Sequence, residues 1–168
     1  MSTDNQFHEE RLTGIGGSDC AAIFNLGYGC QRKLWYEKRK VKPDYPSLNT
    51  PELERGVYLE PVIAELYRKK ASRPVHLKGL QRSLFHEWMI VHVDGETESP
   101  EHPGPGYVEF KCINRRVMQQ FKREGLRDQY ILQLQHGIEV GGISGDLTDC
   151  FVLIRGNFIG SIAKGINL

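Results

Sequence analysis

The stretch Tyr107-Val108-Glu109-Phe110-Lys111-Cys112 decides the fold of this 168-residue chain. Its composition predicts a strand, and successive side chains of a strand point to opposite faces. Glu109 and Lys111 therefore share one face, while Phe110 points into packing. A carboxylate then lies beside an ammonium group at one spot. Such an E-x-K triplet is usually only a surface ion pair, so the rest of the chain has to support any catalytic role.

Asp94 is the second element of this arrangement. It closes the apolar run from Trp88 to Val93, fifteen residues before Glu109. If the two runs pair as a hairpin, Asp94 reaches the spot occupied by Glu109 and Lys111. Two hard oxygen ligands beside a lysine suit Mg²⁺-assisted attack of water on a phosphodiester.

Length and composition limit the classes of protein to consider. With 39% hydrophobic and 26% charged residues, the chain is typical of one soluble globular domain, predicted to span residues 1–168. No apolar stretch approaches transmembrane length, and the start MSTDNQFHEER lacks the features of a secretory signal. We therefore expect a cytosolic protein with no membrane partner. Its cysteines are expected to be reduced and mostly buried: Cys20, Cys30, Cys112 and Cys150.

Charge is distributed unevenly, although the net charge is only +1. Residues 32–42 and 111–127 each carry a balance of +5, whereas residues 94–109 carry −5. Each run alone is most simply a solvated face. Basic segments flanking a carboxylate cluster also suit a metal-dependent enzyme that acts on a polyanion, because cations hold phosphates that the acids alone would repel.

Apolar periodicity and turn residues predict an α/β domain with a mixed sheet. The predicted helices cover 20–24, 31–40, 51–70, 114–124 and 127–140. The predicted strands cover 79–85, 88–93, 107–112, 150–154 and 158–163, and the first three form a meander. Residues 97–106 are predicted to be a polar loop because they hold three prolines and two glycines.

The predicted helix 51–70 carries an acid in an unusual place. Its apolar stripe runs Leu53, Gly56/Val57, Ile63/Ala64 and Tyr67, at spacings of three and four. Glu60 falls in the middle of that stripe, where an acid is costly unless it is paired, protonated or bound to a metal. It is either a buried acid satisfied by an arginine or the backbone, or a metal ligand. Pro61 beside it is expected to kink the helix.

A glycine-rich run, Gly14-Ile15-Gly16-Gly17-Ser18-Asp19, precedes the first predicted helix, with Ser18 as the expected N-cap. Amide groups exposed at the positive end of a helix dipole bind phosphate. The same pattern also fits an ordinary glycine-rich cap. The residues alone leave both interpretations open.

Five short motifs in order resemble those of the YqaJ-like viral recombinase and phage lambda exonuclease family, within the PD-(D/E)xK nuclease superfamily. They are G-I-G-G-S-D at 14–19, with Arg11 seven residues before Ser18, then R-G-V-Y-L-E-P at 55–61, V-D-G at 93–95, E-F-K-C at 109–112 and Y-I-L-Q-L-Q at 130–135. Each motif is weak singly. Their order, over most of the chain from Arg11 to about Ile162, is specific.

The resemblance implies a restriction-endonuclease-like core, with a mixed five-stranded sheet flanked by helices. It implies that Asp94, Glu109 and the carbonyl of Phe110 bind Mg²⁺, for which Mn²⁺ can substitute. Glu60 would help to hold the metal or its water. Lys111 would orient or deprotonate the attacking water and stabilise charge on the phosphorane.

Further residues are implied to act on the DNA. Gln133 would lie at the edge of the catalytic site on the bordering helix. In lambda-type enzymes, groups corresponding to Arg11, Ser18 and Gln133 grip the terminal 5′-phosphate. His92 stands where the family has a small hydroxyl residue, and a histidine can still donate to phosphate. Val93 replaces the family's proline.

Two properties of some relatives are not carried over. The segment C-Q-R-K-L-W-Y at 30–36 is similar to relatives that hold an iron–sulfur cluster, but those need three further cysteines near the C-terminus, and only Cys150 is available. We therefore expect no cluster. The chain also stops soon after the last predicted strand, so a ring-shaped trimer is not implied and homo-oligomer formation stays open.

The sequence thus predicts a Mg²⁺-dependent DNA nuclease of phage-type recombination, in a bacterial or phage-infected cell. A 5′→3′ exonuclease on linear duplex, working with a single-strand annealing protein, is the leading hypothesis. An endonuclease or nickase of the same fold is an alternative. A catalytically inactive DNA- or protein-binding module is another, although binding alone does not require the set Glu60, Asp94, Glu109, Lys111 and Gln133.

Overall fold

The computed structural model of the chain describes residues 8–27, 29–41, 50–99, 102–141, 148–154 and 157–159. The named elements, in chain order, are α1 (Gly17–Ile23), α2 (Gln31–Lys38), α3 (Pro51–Ala71), β1 (Gln81–Arg82), β2 (Ile90–Val91), β3 (Gly95–Ser99), β4 (His102–Cys112), α4 (Arg115–Glu124), α5 (Asp128–Gly141), β5 (Thr148–Ile154) and β6 (Asn157–Ile159). The mixed α/β prediction is confirmed.

The chain divides into two compact units. The helical unit comprises Met1–Ser47, Gly79–His92 and Asp128–Gly142. The sheet unit comprises Leu48–Lys78, Val93–Arg127 and Ile143–Leu168. A single domain over residues 1–168 stays a prediction.

Close packing organises the helical unit. A Cβ on Gly17 would approach the carbonyl oxygen of Gln133 to 3.0 Å, so the absence of a side chain lets α1 lie directly against α5. At Gly14 a Cβ would lie 2.7 Å from the carbonyl oxygen of Trp88, where the loop forms a bridge between Ile15 and Met89. The glycine-rich run is therefore partly a packing device.

Two strands of the helical unit are shorter than predicted. Segments 79–85 and 88–93 reduce to β1 and β2, which pair only with each other, antiparallel. The predicted meander with 107–112 is therefore wrong. β2 also contacts α5, through the buried His136. Its Nε2 donates to the carbonyl oxygen of Ile90 at 2.9 Å.

The sheet unit contains a four-stranded mixed sheet in the order β3-β4-β5-β6. β3 and β4 are antiparallel, β4 and β5 are parallel, and β5 and β6 are antiparallel. The five-stranded sheet is not seen: the described residues form this sheet and the separate β1-β2 pair. Segments 79–85 and 88–93, which were predicted to belong to this sheet, form the separate β1-β2 pair instead.

The loop predicted over 97–106 is wrong for its described residues, because 97–99 and 102–106 contribute to the β3-β4 hairpin. Thr97 is fully buried, and its hydroxyl donates to the carbonyl of Pro74 at 2.7 Å. Pro105 is tolerated because β5 pairs with β4 only from Tyr107 onward, so no ladder bond is required of it on that side. The prolines were misleading as loop signals.

The core of the sheet unit lies where α3 packs on β4. Its buried members are Ile63, Ala64, Tyr67, Val75, Val108 and Phe110. Ile63, Ala64 and Tyr67 form one stripe of α3, and Val108 and Phe110 share one face of β4, as the spacings of three and four and the strand alternation require. Val75 comes from the segment that follows α3. Pro61 lies within α3, which runs unbroken from Pro51 to Ala71.

Several local predictions need correction. Gly16, not Ser18, is the N-cap of α1, and Ser18 lies inside the helix. Within α2 only Leu34 is buried, whereas Trp35 and Tyr36 are exposed. Cys20, Cys30 and Cys112 are free thiols, but none of the three is buried: Cys30 is exposed, and Cys20 and Cys112 are half-buried. Residues 42–49 and 160–163, predicted as loop and strand end, lie outside the described residues, as does the side chain of Cys150.

Helices α4 and α5 agree with prediction to within one residue at each end. Asn114 caps α4 by accepting a hydrogen bond from the Val117 amide at 3.0 Å. Across the part of the chain that the structure describes, none of the helices combines the length and apolarity needed to cross a bilayer.

Candidate functional site

Strand β4 presents an acid and a base on one face. Lys111 Nζ donates to the carboxylate of Glu109, two residues earlier. Glu109 is only 5% exposed, whereas Lys111 keeps partial solvent contact. Phe110 points to the other face and meets Tyr67 edge-on, with ring centroids 6.0 Å apart. Core packing of Phe110 therefore fixes the strand that carries both charged groups.

Asp94 lies at the edge of β4 beside this pair. The amide of Phe110 donates to Asp94 Oδ2 at 2.6 Å. This contact follows from the register, because Gly95 pairs with Val108 and the ladder begins there. The N–H and C=O of one strand residue face the same edge. The Phe110 carbonyl therefore points to the edge where Asp94 lies.

Both negative and positive neighbours affect the ionisation of Asp94. Burial and then the negative charge of Glu109 raise the pKa of Asp94 well above the ordinary aspartate value. Lys111 counteracts that rise in pKa, and Glu60 adds to it. The ionised acids are thus only partly neutralised by one lysine, and a further cation close to them would be stabilising.

Glu60 belongs to this electrostatic group without being buried. It lies on α3, with its side chain open to solvent rather than in the apolar stripe that was predicted. The buried turn runs instead through Ile63, Ala64 and Tyr67, with Leu59 partly buried. Partial burial of its carboxyl group and then the charge of Glu109 raise the pKa of Glu60, and the charge of Lys111 lowers it. The alternative of a buried acid satisfied by arginine is therefore wrong.

The donor chemistry fits a hard divalent cation. Two carboxylates, Asp94 and Glu109, and a strand carbonyl offer the oxygen ligands that Mg²⁺ and Mn²⁺ prefer. Among the described residues, no three His, Cys, Asp or Glu side chains come close enough to form a metal site by themselves. A cation here would therefore rely on two acids, the Phe110 carbonyl, water and substrate oxygens, as is usual for Mg²⁺.

Helix α4 supplies exposed positive charge in the same unit. It begins at Arg115, three residues after β4 ends. Four of its basic side chains are exposed: Arg115, Arg116, Lys122 and Arg123. Met118 and Phe121 are buried, and Arg116 and Arg123 lie on the side of α4 opposite to them.

A second group of predicted residues assembles within the helical unit. The Arg11 guanidinium donates to Ser18 Oγ at 3.0 Å and lies 3.8 Å from the Asp19 carboxylate. Asp19 is buried and accepts from the Gly16 amide at 2.8 Å, as an acid at the third helical position does in a capping box. Lys38 Nζ lies 2.6 Å from Asp19 Oδ2, so Asp19 is close to a second cation besides Arg11.

Gln133 and His92 belong to the same unit. Gln133 packs on Gly17, next to Ser18 in sequence. His92 Nε2 lies 3.5 Å from Glu10 Oε2. Burial lowers the pKa of His92, Glu10 opposes this change, and Arg11 adds to it. The predicted phosphate-binding residues are thus neighbours, but Gln133 as part of the catalytic site stays a prediction.

Two residues of this network were missed as site residues. Asp19 had a signal, because an acid three residues after the cap residue is a capping-box pattern. Lys38 had none beyond membership of a basic run. Its ammonium neutralises Asp19 and also donates to the Arg11 carbonyl at 2.6 Å, so it stabilises the loop that holds Arg11.

Comparisons with known proteins agree on one family. The sequence pattern of the YqaJ-like viral recombinase domain matches residues 6–144. The uncharacterized protein YqaJ of Bacillus subtilis (strain 168) is 26% identical over 150 residues, which are 88% of this chain. The chain spans about half of that relative's length, 46%.

Solved structures share the fold. An alkaline exonuclease, LHK-Exo from Laribacter hongkongensis, is 18% identical with a TM-score of 0.68, over 90% of this chain and 74% of that one. The same exonuclease in complex with dAMP is 20% identical with a TM-score of 0.69, over 89% of this chain and 73% of that one. SSO0001 is 12% identical with a TM-score of 0.59, over 99% of this chain and 80% of that one. At these identities the likeness concerns the fold alone.

Proposed function

Since this chain belongs to the YqaJ-like viral recombinase domain family, we propose that it is a Mg²⁺-dependent DNA nuclease with a restriction-endonuclease-like core. In its most specific form, it is a 5′→3′ exonuclease on linear duplex in phage-type recombination. One observation carries the proposal: Asp94, Glu109 and Lys111 meet around the Phe110 peptide. A binding module has no need to place Glu109 where its charge raises the pKa values of Asp94 and Glu60.

The chemistry assigned to these residues is hydrolysis by water. Mg²⁺ held by Asp94, Glu109 and the Phe110 carbonyl would polarise the phosphate and lower the pKa of a bound water. In its neutral form Lys111 would accept the proton of that water, and as the ammonium that donates to Glu109 it would orient the water and stabilise charge on the phosphorane. The water oxygen bonds to phosphorus as the bond to the leaving oxygen breaks. Glu60, open to solvent, helps to hold the metal's water.

Two basic features support DNA as the substrate. The exposed side of α4 suits contacts with the phosphate backbone, which bring affinity without sequence preference. The pair Arg11–Ser18 suits a terminal phosphate, since a guanidinium and a hydroxyl both donate to phosphate oxygens. Asp19 would repel that phosphate, but Lys38 neutralises it. An annealing protein as partner, and homo-oligomer formation, stay predictions.

Digestion of two DNA forms tests the proposal. With Mg²⁺, linear duplex should lose mononucleotides from its 5′ ends and leave single strands, so a 5′ label should be released before a 3′ label. A covalently closed circle should remain intact, and EDTA should stop all hydrolysis. Cleavage of the circle would favour the endonuclease or nickase, and binding without hydrolysis in Mg²⁺ or Mn²⁺ would favour the inactive module.

Arg11→Gln should remove a preference for 5′-phosphorylated ends. A charged hydrogen bond contributes about 1.5–3 kcal/mol, so kcat/KM on phosphorylated duplex should fall roughly 10- to 100-fold. The rate on duplex with a 5′-hydroxyl should change little. Arg82→Gln, an exposed arginine of the same unit, serves as the control. Equal loss on both substrates would contradict the assignment of Arg11 to the 5′-phosphate.

A further inference from the structure

Helix α2 carries an exposed surface that the proposed hydrolysis does not use. The Arg39 guanidinium lies 5.4 Å from the ring centroid of Trp35, and Arg32 lies 5.7 Å from that of Tyr36. The two rings meet edge-on at 5.0 Å. Trp35 is 56% exposed and Tyr36 39% exposed. Single exposed apolar side chains are common on protein surfaces, but a contiguous exposed patch such as this pair of rings indicates an interaction site.

The helical geometry makes this a continuous face. At about 100° per residue, the order around α2 away from the buried Leu34 is Trp35, Arg32, Tyr36 and Lys33, over roughly 160°. Arg39 is the C-cap of α2 and Lys40 follows it. Aromatic and basic side chains therefore alternate on one side. Lys38 falls next to Leu34 instead, which agrees with its inward contact with Asp19. We call the six exposed residues the α2 face.

Charge on the α2 face is almost entirely positive. Lys33 is paired with Glu37 at 3.7 Å and Lys40 with Glu9 at 3.0 Å, but these pairs are exposed and weak. Arg32 and Arg39 lie over rings, where a guanidinium keeps its donors available. Flat rings flanked by cations match a ligand that has flat, stackable groups on a chain of negative charges.

We infer that the α2 face binds single-stranded DNA, with bases stacking on Trp35 and Tyr36 and phosphates contacting Arg32, Arg39 and Lys33. Unpaired bases expose the faces that aromatic rings require, whereas a duplex buries them in its own stack. The inference rests on the proposed function for the source of that strand, because degradation of one strand of a duplex frees the other. Binding itself does not require hydrolysis.

An acidic protein is the competing occupant, since Trp, Tyr and Arg also dominate protein interfaces. The alternation of rings and guanidinium groups around α2 favours the nucleic acid. Protein hot spots lie in pockets from which water is excluded, whereas the α2 face is one convex helix surface. The two occupants differ in a measurable way, because a base stacks on the indole ring, whereas the carboxylates of an acidic protein do not.

Fluorescence in EDTA tests stacking without any cleavage. The chain has two tryptophans, so Trp88→Phe leaves Trp35 as the only indole and Trp35→Phe leaves Trp88. Oligo-dT should quench the emission of the Trp88→Phe protein and leave that of the Trp35→Phe protein nearly unchanged. Poly-glutamate should quench neither. Quenching by poly-glutamate as strong as that by oligo-dT would overturn the inference in favour of an acidic protein.

Affinity measurements give an independent arm. The double variant Trp35→Ala/Tyr36→Ala should raise the Kd for labelled oligo-dT by about 10-fold or more, since each base–ring stack matters on that scale. Arg32→Gln/Arg39→Gln should weaken binding and reduce its salt dependence. Phe85→Ala, an exposed aromatic of the same unit, is the matched control. If both double variants bind like wild type, the inference is wrong.

These outcomes separate from those of the proposed function. A chain that binds oligo-dT through the α2 face in EDTA but hydrolyses no DNA in Mg²⁺ would retain the inference and lose the nuclease. If the wild-type chain hydrolyses duplex while both double variants bind oligo-dT normally, the proposed nuclease is retained and the inference is wrong. Unfolding temperatures of all variants establish that each is folded; if the alanine pair is not, the arginine pair and the quenching experiment decide.

Discussion

Replacing Lys111 with alanine is expected to lower kcat for duplex hydrolysis by about 10²- to 10⁴-fold, the range of a lost acid–base or charge-stabilising group. Lys111 is the cation in contact with Glu109, and its charge lowers the pKa values of Asp94 and Glu60. Its removal takes away the group proposed to stabilise the charge of the phosphorane. Without its charge, the pKa values of Asp94 and Glu60 rise further, so their ionised forms become less favourable. Steady-state digestion of end-labelled linear duplex in saturating Mg²⁺ measures the effect.

Binding and folding need separate readouts for this variant. Lys69→Ala removes an exposed lysine from the same unit, one that pairs only with Glu65 in the described structure of α3, and should keep wild-type activity. In EDTA, Lys111→Ala should still bind duplex within a few-fold, because backbone contacts from α4 are untouched. Wild-type turnover by the folded variant would remove Lys111 from the mechanism. A loss of binding equal to the loss of turnover would reassign it to substrate affinity.

The charged face of β4 followed from the sequence because strand alternation is a local rule. Glu109 and Lys111 two residues apart must share a face, whatever the strand pairs with. Asp94 reached the same place for a reason that the sequence did not reveal. The hairpin forms from the following residues, Gly95–Ser99, and not from the apolar run before it. Proximity in sequence to the hairpin start was enough to place the side chain.

Residues whose environment depends on non-local packing were predicted less well. Glu60 was placed in the buried stripe because Leu53 and Val57 suggested that phase, but Val57 is 68% exposed and the buried turn lies further along α3. Ser18 was taken as a cap because glycines preceded it, but Asp19 bonds back to Gly16 and the helix begins earlier. Lys38 reaches Asp19 from a separate helix, which no local pattern indicates.

Replacing Asp94 with asparagine is expected to separate stability from activity. Because burial and Glu109 raise the pKa of Asp94, its ionised form is unfavourable in the folded protein. Asparagine keeps an oxygen that can accept from the Phe110 amide and removes the repulsion. The metal-free variant should therefore unfold at a temperature equal to or above that of wild type, whereas hydrolysis of linear duplex should fall at least about 10²-fold, as for loss of an essential charge-stabilising group.

Added metal should reverse the order of stability. A cation at 100 times its Kd stabilises the folded state by about 2.7 kcal/mol, which for a chain of this size raises the unfolding temperature by roughly 5–10 °C. Wild type should show that rise with Mn²⁺, and Asp94→Asn should show little of it. Glu98→Gln, an exposed acid on β3, should behave like wild type. If Asp94→Asn is destabilised without metal yet keeps the full Mn²⁺ shift, Asp94 is a structural partner of the Phe110 amide and the cation binds elsewhere.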